Sequence, residues 1–370
     1  MPTPSTPSHP STAPVRAALR RSAELEEQVR ADPRRFRVVT GDRPTGPLHL
    51  GHLLGTLANR VRLQRDGVEV FVVIADLQVA TDRDDPGDVR AAVRDVLLDN
   101  LAAGLEPGPA PGGGAVVFVH SAVPALHRLF VPLLGLVTEA ELRRNPTVRA
   151  EAAAASARAG GRRAVSGLLL TYPVHQAADV LSCGGNLVPV GQDQLPHLET
   201  ARLVARRFEE RYGTGRPVLT APEALLSPAP LLLGTDGRKM SKSGGNAIAL
   251  RAGEDETARL LRSARTDGQR RITYEPDRRP EVANLLLTAA LCSGSTPEAL
   301  AEQIGDGGAS RLKAVVTEAV NEHLRPLRRR RRDLERADDH LRAVLAAGAE
   351  RAGAEADRTL RRVLDAMGLG

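Results

Sequence analysis

Arg35 to His52 reads RFRVVTGDRPTGPLHLGH. Its first six residues are a short apolar strand, and the turn-rich stretch that follows runs into a helix over about His49 to Arg65. A helix start after a glycine-containing loop presents unpaired N–H groups and a partial positive charge, so phosphate is the expected guest. Gly51 lets a ligand come close to the backbone. His49 and His52, on the first turn, could donate to phosphate oxygens as charge grows there. His-x-Gly-His alone fits a polar capping loop equally well.

Outward from this stretch the pattern repeats. FVVIAD (Phe71 to Asp76) and AVVFVHS (Ala115 to Ser121) read as strands two and three, with a helix ending at Gly104 between them. VHQAADVL reads as helix, NLVPVG as a fourth strand, and QDQLPHLETARLVARRFEERY as another helix. Strands alternating with helices of this length predict a Rossmann-like parallel sheet in an α/β domain. From Glu254 the signal is helical only, and Leu327, Leu334 and Leu341, seven apart, predict a helical bundle. The expected division is an N-terminal extension over 1–30, disordered and then a surface helix, a nucleotide-binding domain over 31–240, and a helical domain over 241–370. The glycine-rich loop PGPAPGGG has no assignable task.

The chain has 370 residues, enough for two domains. Aromatics are 2% with no Trp, so the interior must rest on Leu, Val and Ala. A formal charge of +6 on 51 cations and 45 anions allows a nucleic-acid partner without requiring one. Two distant cysteines, Cys183 and Cys292, give neither a disulfide framework nor a metal knuckle, and no resident metal is expected. No run is long enough for a membrane span and the N-terminus has no hydrophobic signal core, which predicts a cytoplasmic protein.

A second stretch, LLGTDGRKMSKSGGN (Leu232 to Asn246), gathers Arg238, Lys239 and Lys242 around a Met and two hydroxyls, then adds two glycines. Most short basic loops are solvated turns. A mobile clamp on a polyanion is the sharper reading. As a pentapeptide, KMSKS has a low chance rate in a chain of this size.

PTGPLHLGH and KMSKS, in this order, separated by most of an α/β domain and followed by helices, resemble the class I aminoacyl-tRNA synthetases. TYPVHQAADVL and NLVPVGQDQLPHLE resemble the substrate-pocket motifs of the tryptophanyl-tRNA synthetase family within that class. The likeness continues through ELRRNPTVRAE, RRPEVANLLL and Leu312 to Leu369. The related tyrosyl enzymes carry a Tyr two residues before the glycine that ends the first strand. Val39 stands there before Gly41, and an apolar residue suits indole better than a phenol, which would lose a hydrogen-bond partner on burial.

The resemblance implies ATP with Mg²⁺ carried on it, L-tryptophan and tRNA(Trp) as partners, and a homodimer. It implies that His49, His52, Lys239 and Lys242 are catalytic, stabilising the phosphates. Arg43, Pro44, Thr45, Gly51, Gly191, Gln192, Asp193, Met240, Ser241 and Ser243 then complete the ATP site. Gly41, Tyr172, Gln176, Asp179 and Gln194 would bind tryptophan, with Asp179 accepting from the indole N–H. The chain departs from the common pattern at Arg43 (usually Gln), His52 (usually Asn) and Gln176 (usually Met). The first two add phosphate donors. The five arginines Arg328 to Arg332 could face the tRNA backbone or form a solvated helix face.

Overall fold

A computed structural model describes residues 13–81, 85–108, 114–158, 165–191, 194–213, 215–226, 232–242 and 244–370. The Pro-rich tail before residue 13, residues 109–113 of the glycine-rich loop, and the site residues Gln192, Asp193 and Ser243 lie outside the described residues. Five strands form one parallel sheet: β1 (Arg37–Asp42), β2 (Glu69–Ile74), β3 (Ala115–Val119), β4 (Leu187–Val190) and β5 (Glu223–Leu226), in the order β3-β2-β1-β4-β5. Four of these are the expected strands. The fifth, EALL, is four residues without alternation and carries no strand signal of its own.

Helices α1 (Ala13–Ala31), α2 (Leu50–His52), α3 (Ala58–Arg65), α4 (Val89–Ala102), α5 (Pro124–Leu134), α6 (Glu139–Arg144) and α7 (Pro146–Arg158) precede β4, together with α8 (Gly167–Ser182). Then come α9 (Leu195–Tyr212), α10 (Glu254–Arg262), α11 (Pro280–Ser293), α12 (Pro297–Ile304), α13 (Gly308–Leu334) and α14 (Asp338–Ala366). Between α2 and α3 the chain makes a π turn over Leu53–Leu57, so the helix expected after His49 is present with one wide turn inside it.

Side chains alternate across the sheet. Val38, Val70, Val72 and Val117 face one core, while Val39, Phe71, Val73 and Phe118 face the other. Both are built mainly from Leu, Val and Ala, as the scarcity of aromatics requires.

Both edges of the sheet are covered. Along β5 lies α1, whose Ser22 Oγ accepts the Leu226 N–H at 2.9 Å and whose Leu25 and Val29 are buried. This helix is therefore part of the core, and more than the surface extension expected. At the opposite edge α14 crosses β3. Its Leu341 and Val344 join the first core, and its Ala352, Ala356, Leu360 and Val363 join the second. At the crossing is Gly348, where an added Cβ would stand 1.8 Å from the Val117 carbonyl oxygen. Backbone cannot yield as a side chain does, so Gly348→Ala is expected to lift α14 off the edge and cost about 3 kcal/mol. An unchanged melting temperature would contradict the close approach.

The heptad leucines do not lie on one helix. Leu334 ends α13 and Leu341 belongs to α14, with a turn between them. Nor do the arginines form one outward face. Arg328 and Arg331, three apart, share the inward side of α13 and are buried, whereas Arg329 and Arg332 are exposed. Arg328 donates to Thr257 Oγ1 at 2.8 Å, and Arg330 Nε to the Ala102 carbonyl at 2.7 Å. Arg331 pairs with Asp95 and Asp99, both at 2.7 Å. Asp99 Oδ2 also accepts the Leu48 N–H at 2.9 Å, which ties the helical tail to the residue before His49.

Candidate active site

In this strand order the connections leave β1 and β4 in opposite directions, so their carboxyl ends open the crevice where ligands bind in such sheets. Gly41 lies near the end of β1 and Gly191 follows β4. A Cβ on Gly41 would stand 2.7 Å from Val73 Cγ1. A side chain there would crowd β2, so glycine keeps the backbone open to the crevice. Beside it Asp42 is clamped by Arg60 through two contacts of 2.6 and 3.0 Å. Burial alone would raise the Asp42 pKa, but the Arg60 guanidinium outweighs it and holds the carboxyl at about 2. Arg60 also donates to Thr40 and Asn100, and so fixes α3 against β1.

His49 caps the start of α2 and is buried, its N–H donating to His52 Nδ1 at 3.2 Å. The two rings sit 3.7 Å apart. Burial first, and then the neighbouring His52 and the cations Lys242 and Lys239, push the His49 pKa down to about 3; burial and Lys242 hold His52 at about 4. Both imidazoles are therefore neutral near pH 7 and able to donate hydrogen bonds.

KMSKS arrives at the same place. Met240 is buried, and its sulfur would stand 3.4 Å from a Cβ on Gly51. Lys242 Nζ donates to the Arg43 carbonyl at 3.3 Å. The segment after the motif pairs with the loop before α2, Leu50 N–H to the Ile248 carbonyl and Leu250 N–H to the Leu48 carbonyl, both at 2.9 Å. Pro44 is buried, Thr45 half-buried, and the Thr45 N–H returns to the Arg43 carbonyl at 2.9 Å. Two motifs almost two hundred residues apart thus share one wall of the crevice.

The glycines do less to loosen the loop than the sequence implies. Asn246, a residue the motif reading passes over, is buried inside the turn. It accepts the Ser241 N–H at 3.0 Å and donates to Asp236 at 2.7 Å and to the Lys239 carbonyl at 3.1 Å. A Cβ on Gly234 would collide with it at 2.3 Å, and Gly245 has a φ of +64°, so these glycines shape a clasped turn.

On α8, Tyr172, Gln176 and Asp179 follow helical spacing and share one side. Tyr172 Oη lies 3.2 Å from His197 Nε2 on α9. Gln176 is half-buried and Asp179 is 5% exposed. Gln194 sits at the start of α9, its N–H on the Gly191 carbonyl at 3.1 Å.

Three further histidines meet beside Asp179; His175 lies within the TYPVHQAADVL stretch, but no motif spacing links it to His120 or His127. His120 follows β3, His127 is on α5 and His175 on α8. His120 Nε2 is 2.8 Å from Asp179 Oδ1, and His127 Nδ1 is 3.0 Å from His175 Nε2. Burial alone would lower the His120 pKa, but the Asp179 carboxylate outweighs it and raises it; burial holds His175 at about 4. Gln78 reaches His175 Nδ1 at 2.5 Å.

A 3-2-1-4-5 parallel sheet whose crevice is walled by His-x-Gly-His and KMSKS defines a class I aminoacyl-tRNA synthetase. The family profile for class I tRNA synthetases (W and Y) matches residues 31–325. Tryptophan–tRNA ligase of Treponema pallidum (strain Nichols) is 40% identical over 348 residues, covering 90% of this chain and 97% of that protein. The chain belongs to the tryptophanyl-tRNA synthetase family. Among solved structures, the tryptophanyl-tRNA synthetase of Mycoplasma pneumoniae aligns with a TM-score of 0.77 at 27% identity, over 90% of this chain and 98% of the other. That of Campylobacter jejuni, complexed with ADP and tryptophan, gives 0.72 at 26%, over 90% and 100%. No helix among the described residues is long and apolar enough to cross a membrane.

Proposed function

We propose the following division of labour for the tryptophan–tRNA ligase reaction of this chain. ATP, with its Mg²⁺, lies along Arg43, Pro44, Thr45 and Gly51, with its triphosphate between the histidine pair and the KMSKS lysines. The ribose lies towards Gly191, Gln192 and Asp193. Tryptophan enters beside Gly41 with its indole N–H on Asp179 and its ammonium and carboxylate towards Tyr172 and Gln194; Gln176 lines the pocket.

The tryptophan carboxylate attacks the α-phosphorus. The bond to the bridging oxygen breaks, and its electron pair leaves on pyrophosphate. No enzyme nucleophile is needed, so the protein's work is positioning and charge stabilisation. His49 and His52 donate to phosphate oxygens as neutral imidazoles. Lys239, Met240, Ser241, Lys242 and Ser243 close over the leaving pyrophosphate. A ribose hydroxyl at the 3′ end of tRNA(Trp) then attacks the acyl carbon and AMP departs. The helices of 241–370 meet the anticodon region, and the working unit is a homodimer, to be checked by sedimentation.

The observation that carries this reading is the seating of Met240 on Gly51, which brings the two motifs together as a shared nucleotide would require. Pyrophosphate exchange tests it: exchange must require tryptophan, and exchange with tyrosine or with no amino acid would sink it.

Protonation of the histidine pair gives a separate check. With pKa values near 3 and 4, neither ring changes charge between about pH 5 and pH 8. The kcat/KM profile for ATP is expected to have no acid limb near 6.5 that responds to His52→Asn. Such a limb, lost in the variant, would mean that the imidazolium is required.

A further inference from the structure

We propose that His120, His127 and His175 form a site for one divalent transition-metal ion of the zinc class, with Asp179 beside it. One ring nitrogen from each histidine lies within 4.8 Å of the others, and these residues come from three separate elements. Three imidazoles with water in the fourth position are a donor set that zinc accepts in tetrahedral geometry.

The hydrogen bonds around the cluster point the same way. His127 Nε2 lies 2.9 Å from the His120 carbonyl. A carbonyl only accepts, so Nε2 carries the hydrogen and Nδ1 is left with a bare lone pair directed at His175 Nε2. If the Gln78 amide oxygen accepts from His175 Nδ1–H, that Nε2 is bare as well, and the Thr81 hydroxyl, 2.8 Å from the Gln78 amide, can accept from its NH₂. Two lone pairs converging at 3.0 Å call for a cation bound to both from one side, since zinc keeps about 2.0 Å from each nitrogen. The His120 carbonyl and the Gln78 amide then hold the far ring nitrogens, as outer partners of ligating histidines do.

The alternative is a metal-free chain in which the Gln78 NH₂ donates to His175, which donates to His127. It satisfies those two rings and leaves His120 Nδ1 unexplained. His120 Nε2 lies 2.8 Å from Asp179 Oδ1 as an ion pair, while His120 Nδ1 is buried and makes no hydrogen bond among the described residues. An ion gives that nitrogen a partner, and the Asp179 carboxylate then holds the far nitrogen of the ring as an outer partner.

The test uses full-length protein, stripped with chelator and titrated with Co²⁺ and Zn²⁺. One equivalent per chain is expected, with the intense visible absorption of tetrahedral Co²⁺, displacement by Zn²⁺ and a raised melting temperature. His127→Ala combined with His175→Ala should weaken binding at least about tenfold, while His340→Ala should not. Wild-type protein that takes up no stoichiometric ion, or a double variant that binds as wild type does, overturns the proposal. Tryptophan-dependent exchange on the same samples separates the two readings. Exchange without an ion refutes only the metal site, and an ion without exchange refutes only the assigned reaction.

Discussion

Asp179→Ala lowers selectivity for tryptophan over phenylalanine from about 10⁴–10⁵ to the range that apolar fit alone provides, about 10². The reason is asymmetric. A buried carboxylate rejects a side chain with no donor because its own acceptor is then left unpaired, a cost that alanine removes. Asp179 is 5% exposed, so a side chain without a donor would leave a carboxylate oxygen buried beside it with nothing to accept from. Adenylate formation measured with each amino acid gives the ratio directly. Undiminished selectivity in a folded variant would show that another group reads the indole.

The second large effect is at Lys242. Its ammonium reaches the Arg43 carbonyl beside the histidine pair whose pKa values it lowers. Lys242→Ala should slow adenylate formation by about 10²–10³, the usual cost of deleting one donor to developing charge. The KM for tryptophan should stay within about twofold, because the proposed role sets the lysine at the phosphates and away from the amino acid. Transfer to tRNA from preformed adenylate should be spared, since no pyrophosphate remains to be held. Equal losses in both steps would place the lysine in general loop structure instead. Asn246 offers a contrast: it holds the same turn without a charge, so its loss should loosen ATP binding more than it slows the bond-breaking step.

The sequence reveals most of what local rules can encode. Strand, loop and helix around Gly51 were legible because turn residues and periodicity both change at known places, and KMSKS was legible as a rare string. β5 was not, being too short for alternation to register. The arginine run misleads because composition reports charge and not direction: helical geometry turns Arg328 and Arg331 inward to Thr257, Asp95 and Asp99, partners dozens to hundreds of residues away. The same limit hides the histidine cluster. His120, His127 and His175 have no motif spacing, and only the packing of α5 against α8 beside the end of β3 brings them together. Asn246 stayed unread because its importance lies in three hydrogen bonds inside a turn and not in its own chemistry.

The crossing of α14 over β3 sets an order on biosynthesis. Val117 leaves the ribosome more than two hundred residues before Gly348, the residue that will lie against it. Throughout that interval the strand's unpaired N–H and C=O groups face the cell, open to pairing with other nascent chains. Termination before Gly348 therefore leaves that border of the sheet uncovered, and synthesis has to keep it apart from its neighbours until the final helix is made.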